Sequence, residues 1–287
     1  MTVARPRPVQ RLCRVDESAP IGAYARLRLH APDIAERAHP GQFVAIAVGD
    51  ATSSLVLRRA FALYQWDDRT LDLVVDAHGA GTHWLTQQPA GTVLDVVGPL
   101  GRPYPEPAGD GPVVVVSGGY GAATLVPLVA RTRAQGRRVT AVLGAATAAR
   151  LVCVAELEGL GAEVLVATDD GSAGTHGLVT DLLRGLAASA LRESQAVYAC
   201  GPMPMLAATA DVAARAGVTS WCSVEESMAC GIGVCMTCVL PVVDDDGETR
   251  MLRSCVAGPT FAGSAVRWAD VGTIPPDCVG APTGGGH

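Results

Sequence analysis

Three cysteines, Cys230, Cys235 and Cys238, fall within nine residues of the stretch MACGIGVCMTCV, and a fourth, Cys255, follows in RSCVAGP. Thiols grouped this way can be packed core residues, disulfide partners, ligands of zinc, or ligands of a centre that carries electrons. The chain holds nine cysteines, an odd number, so complete pairing within one chain is impossible. In a reducing compartment clustered cysteines serve more often as ligands or catalysts than as cross-links. The other five, Cys13, Cys153, Cys200, Cys222 and Cys278, are scattered, and small packed thiols are the default expectation for them.

The spacing is C-x4-C-x2-C-x16-C. Zinc sites are usually built from two short-spaced pairs, whereas C-x4-C-x2-C followed by a distant cysteine is the ligand spacing of plant-type [2Fe–2S] clusters. A loop of this kind must aim its sulfurs inward while backbone N–H groups face the sulfides. Gly231 and Gly233 allow the dihedrals and the close approach that this needs. A two-iron cluster held by Cys230, Cys235, Cys238 and Cys255 is the leading expectation, ahead of zinc and of structural thiols.

A one-electron centre needs a source of electrons, and three glycine-rich stretches could bind one. In AHGAGTHWL, Gly79 and Gly81 let backbone amides approach an anion, Thr82 adds a hydroxyl, and a helix N-terminus supplies favourable polarity. LVLRRAFALY sets Arg58 and Arg59 before an aromatic; a lone arginine is more often a solvated charge. In VVVVSGGYGAATLVPL a strand is followed by Gly118, Gly119 and Gly121 and then a helix, the place where α/β sheets bind nucleotide phosphates, although G-G-x-G is not the G-x-G-x-x-G fingerprint. YACGPMPML ends a later strand at the same edge. His78, His83 and His176 sit in glycine-rich loops, where surface or phosphate-adjacent positions fit better than acid–base catalysis. Asp169 and Asp170 look like a carboxylate pair but are expected to shape their loop or to contact a ribose.

The elements that must position these residues fall into three blocks. Residues 1–105 read as short alternating strands, among them AYARLRLHAP, GQFVAIAVG and GTVLDVVGPLG, separated by turns, as in an antiparallel barrel. RPYPEPAGDGP is a linker. From Val113 the pattern becomes β-branched runs alternating with helical segments, which defines a doubly wound parallel-sheet domain over 111–221. The cysteine module occupies 222–270, with DDDGE at 244–248 as a solvated hairpin turn, and 271–287 has the composition of a flexible tail. With 49% apolar and 17% charged residues a large core is easily buried, and a net charge of −6 argues against a nucleic-acid partner. No stretch approaches the ~20 apolar residues of a membrane span, and the N-terminus lacks a signal-peptide pattern, so a cytoplasmic setting is expected.

Taken together, the RRAF and GAGT stretches in a barrel, the G-G-x-G turn and CGPMPM resemble the ferredoxin-NADP reductase-type flavoproteins. With MACGIGVCMTCV, RSCVAGPTF and ATDDGSAGTHGLVTDLL, the likeness narrows to the electron-transfer subunits of NAD-linked (type 1B) dihydroorotate dehydrogenases and covers nearly all of residues 10–270. The resemblance implies FAD held at Arg59, Phe61, Ala62, Gly79, Gly81 and Thr82. It implies a nicotinamide dinucleotide, NAD, across Gly118, Gly119, Gly121, Gly201, Pro202 and Met203, with Cys200 close to the nicotinamide. It also implies an FMN-containing, dihydroorotate-oxidising catalytic subunit as partner in a heterotetramer. There are departures. Ala62 stands where the family carries a hydroxyl residue, a hydrogen bond of about 1 kcal/mol. Ala123 and Thr124 replace the usual prolines, and LGAATAARL lacks an arginine often found after its Gly-Ala. The alternatives are the flavoprotein subunit of another NAD(P)H-dependent reductase, of sulfide dehydrogenase or bifurcating transhydrogenase type, and a redox-sensing regulatory protein.

Overall fold

The computed structural model describes residues 7–50, 52–186 and 188–281. The first block forms β1 (Val9–Ile21), β2 (Tyr24–His30), α1 (Pro32–Ala35), β3 (Phe43–Ile46), β4 (Arg59–Trp66), β5 (Thr70–Val75), α2 (Ala80–Thr86) and β6 (Val93–Leu100). Its six strands close into a barrel in the order β1-β2-β5-β4-β3-β6, every pair antiparallel. Alternation along each strand fills the barrel with Val15, Leu27, Leu29, Val44, Ile46, Phe61, Leu63, Leu71, Leu73 and Val96, and closure leaves no unpaired edge.

The second block comprises β7 (Val113–Gly118), α3 (Ala122–Ala134), β8 (Val139–Ala145), α4 (Val154–Gly159), β9 (Glu163–Thr168), β10 (Thr175–His176), α5 (Val179–Gly185), α6 (Ala188–Glu193), β11 (Ala196–Cys200), α7 (Met203–Ala216) and β12 (Ser220–Ser223). The sheet order is β10-β9-β8-β7-β11-β12-β15, where β15 (Thr260–Ala262) belongs to the cysteine module. All pairs are parallel except β12–β15. The β-branched run works as a doubly covered strand must. Val113 and Val115 join the core beneath α3 and α4, while Val114 and Val116 join the opposite core with Leu183, Leu206 and Ala213.

The first of those cores also contains Tyr24, Tyr64 and Val74 of the barrel, so the two blocks share packing. Arg150 bridges them as well, pairing with Asp76 at 2.6 Å and lying over the Tyr24 ring.

In the third block β13 (Val239–Val243) and β14 (Thr249–Arg253) form a hairpin, followed by α8 (Ser254–Ala257). Asp244 closes the DDDGE turn by accepting from Asp246 and Glu248 amides. Two boundaries differ from the sequence expectation. β12 runs through the 221/222 border, and β15 returns from the module to pair with it. The segment 271–281 is also not a loose tail: Cys278 is buried, Val279 N donates to Thr249 O at 2.9 Å, and Asp277 pairs with Arg267 at 2.6 Å. Residues 282–287 lie outside the described residues. No helix among the described residues is long and apolar enough to cross a membrane.

Candidate functional site

The barrel separates its paired arginines by task. Arg58 is tied to the barrel wall, donating to the Asp95 carbonyl at 2.8 Å and its carboxylate at 2.5 Å. Among the described residues Arg59 has only backbone carbonyls as hydrogen-bond partners, Leu57 at 2.7 Å and Arg58 at 3.4 Å. Its guanidinium lies against the start of α2: a Cβ on Gly81 would stand 2.9 Å from Arg59 Nε, whereas one on Gly79 would meet nothing within 4 Å. Arg59 and the open face at Gly79 thus meet, as an anionic cofactor group would require. The Thr82 hydroxyl has a different use. It accepts from the His78 and Gly79 amides and donates to the Gly79 carbonyl, so it shapes the turn that presents those glycines.

Along β4 the side chains alternate. Phe61 is in the barrel core, while Ala60 and Ala62 face outward. Two alanines put only methyl groups on that outer face. A serine at Ala62 would have added one hydroxyl to it.

In the α/β domain a cavity of about 450 Å³ opens at the carboxyl ends of β7, β8, β9 and β11, with Gly118, Gly119, Pro202 and Met205 in its wall. This is the position where doubly wound sheets take nucleotides. Gly118, Gly121 and Gly201 have a packing role first. A Cβ on Gly121 would lie 2.5 Å from the Cys200 carbonyl oxygen, and one on Gly118 would lie 2.8 Å from Pro202 Cδ. These glycines let the turns after β7 and β11 touch, and Gly119 faces the cavity. Met203 packs into the core at the start of α7 and lies outside the cavity wall.

Cys200 is buried just behind this junction, near Thr124 and Ser223, and burial pushes its thiol up to about 12. It is a neutral thiol at working pH, able to pack or donate weakly but not to act as a thiolate. Asp169 and Asp170 separate as well: Asp170 accepts from Ser172 N at 2.9 Å and Ser172 Oγ at 2.6 Å, while Asp169 lines the cavity. His78, His83 and His176 are all exposed.

The sequence reading missed Glu225, Tyr120 and Tyr24, which line the same cavity. Glu225 is exposed and lines the cavity. Desolvation raises its carboxyl, and a hydrogen bond with Tyr120 opposes the rise. Its position just past the end of β12 was the available signal, since strand ends on that edge converge on the nucleotide site.

In the cysteine module the long gap before Cys255 is explained by the hairpin. Val239 pairs with Arg253, and Ser254 N donates to Cys238 O at 2.8 Å, which brings Cys238 beside Cys255. The thiols come in two pairs: Cys235 hydrogen-bonds Cys230, and Cys255 hydrogen-bonds Cys238. Among the described residues no three His, Cys, Asp or Glu side chains gather closely enough for a single metal ion. Two pairs of thiols suit a two-iron centre, which takes two thiolates on each iron. Backbone amides already point at the sulfurs, from Val234 and Cys235 to Cys230 at 3.3 and 3.4 Å and from Cys255 to Cys238 at 3.4 Å. Cys235 is exposed, and the Thr237 hydroxyl, helped by backbone amides, lowers its thiol to about 6. Cys255 is buried and its thiol is raised to about 12 by desolvation.

A closed barrel with an arginine beside an open glycine turn, a doubly wound sheet with a cavity at its carboxyl edge and a paired-cysteine module are the layout of an iron–sulfur flavoprotein reductase of the ferredoxin-NADP reductase fold. Residues 225–267 match the model of the iron-sulfur cluster binding domain of dihydroorotate dehydrogenase B. The chain is 36% identical over 244 residues to the dihydroorotate dehydrogenase B (NAD(+)) electron transfer subunit of Desulforamulus reducens, covering 84% of this chain and 92% of that one. The counterpart in Geobacillus thermodenitrificans is 40% identical over 240 residues, 81% and 88% of the two chains. The chain belongs to the family of dihydroorotate dehydrogenase B electron transfer subunits. Among solved structures, that of NADH-dependent reduced ferredoxin-NADP oxidoreductase superposes with a TM-score of 0.78 at 32% identity, over 91% of both chains.

Proposed function

We propose that this chain carries electrons between a dihydroorotate-oxidising, FMN-containing catalytic subunit and NAD+, within a cytoplasmic heterotetramer of the pyrimidine pathway. One packing observation carries the route. Phe43 and Ala45 of β3 and Leu100 of β6 form a single apolar cluster with Cys238 and Cys255, and Phe43 is the cross-strand partner of Ala62. The cysteine module therefore rests on the strand next to the one that carries Arg59, Phe61 and Ala62.

Residues 1–105 hold FAD through Arg59, the outer face at Ala62 and the Gly79–Thr82 turn, with Phe61 backing the strand from inside. Residues 111–221 receive NAD in the cavity at Gly118, Gly119 and Pro202. Gly121 and Gly201 let the turns that carry those residues touch, Met203 packs into the core behind them, and Cys200 lies behind the junction. Cys230, Cys235, Cys238 and Cys255 hold a [2Fe–2S] cluster. When bound, the flavin converts between hydride exchange with nicotinamide and single-electron exchange with the cluster. The loop's exposed apolar residues, Ile232, Val234 and Met236, give the partner a surface beside the ligands. Nine thiols with clustered ligands suit a reducing compartment.

The test uses the protein isolated anaerobically with its partner. Dihydroorotate should bleach flavin and cluster absorbance, and NAD+ should restore it. The likeness to the ferredoxin-NADP oxidoreductase over 91% of the chain carries a second reading, the same internal route with another partner. Bleaching by NADH but not by dihydroorotate would favour it.

A further inference from the structure

We infer that Arg253 is a positioning residue for the cysteine loop and the fixed counter-charge of the centre that the four cysteines hold. The inference rests on the cluster reading above. Gly233 lies between Cys230 and Cys235, and the segment Arg253–Val256 grips it from three directions. The Arg253 guanidinium donates to the Gly233 carbonyl. The Gly233 amide is directed at the Cys255 sulfur. Val256 fills the space that a Cβ on Gly233 would need. Gly233 has φ of +87°, a conformation that a longer side chain resists, so the loop is held at the residue best able to take that shape.

The charge on Arg253 matters apart from this grip. The matched module contains three arginines, and two are saturated with carboxylates: Arg250 with Asp244 and Glu248, and Arg267 with Asp270 and Asp277. Among the described residues Arg253 has no carboxylate partner, and its one hydrogen bond is to the Gly233 carbonyl. A guanidinium is permanently charged and cannot relieve its position by losing a proton. Four thiolates and two sulfides around two irons leave a net negative centre, and taking up an electron makes it one unit more negative. A cation held beside the loop favours the reduced form. The grip and the charge come from one side chain, so this hold on the loop also places the cation beside it.

The test compares the full chain with Arg253→Gln, Arg253→Lys and Arg253→Met. It reads the cluster's midpoint potential, by dye-mediated titration followed by electron paramagnetic resonance of the reduced protein, and the rate at which a chelator removes cluster absorbance. Arg253→Gln keeps a donor and loses the charge, so its midpoint should move to more negative values with the cluster retained. Arg253→Lys keeps the charge and should titrate at the wild-type potential. Arg253→Met loses both and should shift negatively and release the cluster several-fold faster; if it takes up no cluster while Arg253→Lys does, the grip is supported in its extreme form. A wild-type potential together with a wild-type release rate in Arg253→Gln and Arg253→Met overturns the inference. Absence of a two-iron signal from the wild-type protein would instead overturn the cluster reading on which it rests.

Discussion

Cys235 and Cys200 show how differently one residue type behaves within a single chain. Cys235 is exposed, with its thiol lowered to about 6 by the Thr237 hydroxyl and neighbouring amides, while burial holds the Cys200 thiol near 12. In cluster-free protein, alkylation of Cys235 should rise as pH passes through about 6 and level off above it, because the thiolate is already formed there. Cys200 should stay unmodified at neutral pH. Mass spectrometry of iodoacetamide-treated protein checks both, and preferential labelling of Cys200 would contradict the assigned environments.

Glu225 gives a second residue-scale expectation. Its raised carboxyl keeps a proton above the ordinary carboxylate range, so flavin reduction by NADH should change with pH as that proton is lost. Glu225→Gln should flatten the change in stopped-flow traces, and an unaltered profile would remove Glu225 from the site. At this scale the cysteine ligands were legible because their spacing is itself the chemistry. The resemblance already pointed to Arg59 rather than Arg58, but the tie of Arg58 to Asp95 and the use of the Thr82 hydroxyl in the His78–Gly79 turn appear only in the folded barrel. Those partners are set by barrel closure, not by local sequence.

The elements divide along the same line. The barrel strands and the β7 run were readable from period-two alternation and from a continuous β-branched stretch. β15 was not, because three residues carry no period and its pairing with β12 is remote in sequence. The order of segment 271–281 likewise depends on pairing with Thr249, which composition cannot reveal.

Turn glycines can be sorted by what a Cβ would meet. Gly121→Ala drives a methyl into the Cys200 carbonyl and should destabilise the fold by ~1–3 kcal/mol, with NADH affinity falling too. Gly79→Ala meets nothing within 4 Å and should leave the melting of cofactor-free protein within about 0.5 kcal/mol of wild type. It should nevertheless weaken FAD retention, because the methyl enters the open face beside Arg59. Thermal melts and FAD titration separate the two effects. Equal destabilisation by both would show that Gly79 is a packing glycine.

At the scale of the whole molecule, shared packing sets the order of the sites. Tyr24, Tyr64 and Val74 join the barrel to the α/β core, and Phe43, Ala45 and Leu100 join it to the cysteine module. The barrel thus touches both the α/β core and the cysteine module, which also joins the α/β sheet directly through β15, and the proposed electron route runs by way of β3 and β4. The most direct test is NAD+ reduction by dihydroorotate in the assembled complex carrying Cys235→Ser, measured beside flavin bleaching by NADH. The route predicts that dihydroorotate-linked turnover is lost along with the cluster absorbance while NADH still bleaches the flavin. Full dihydroorotate-linked turnover without a cluster would contradict it.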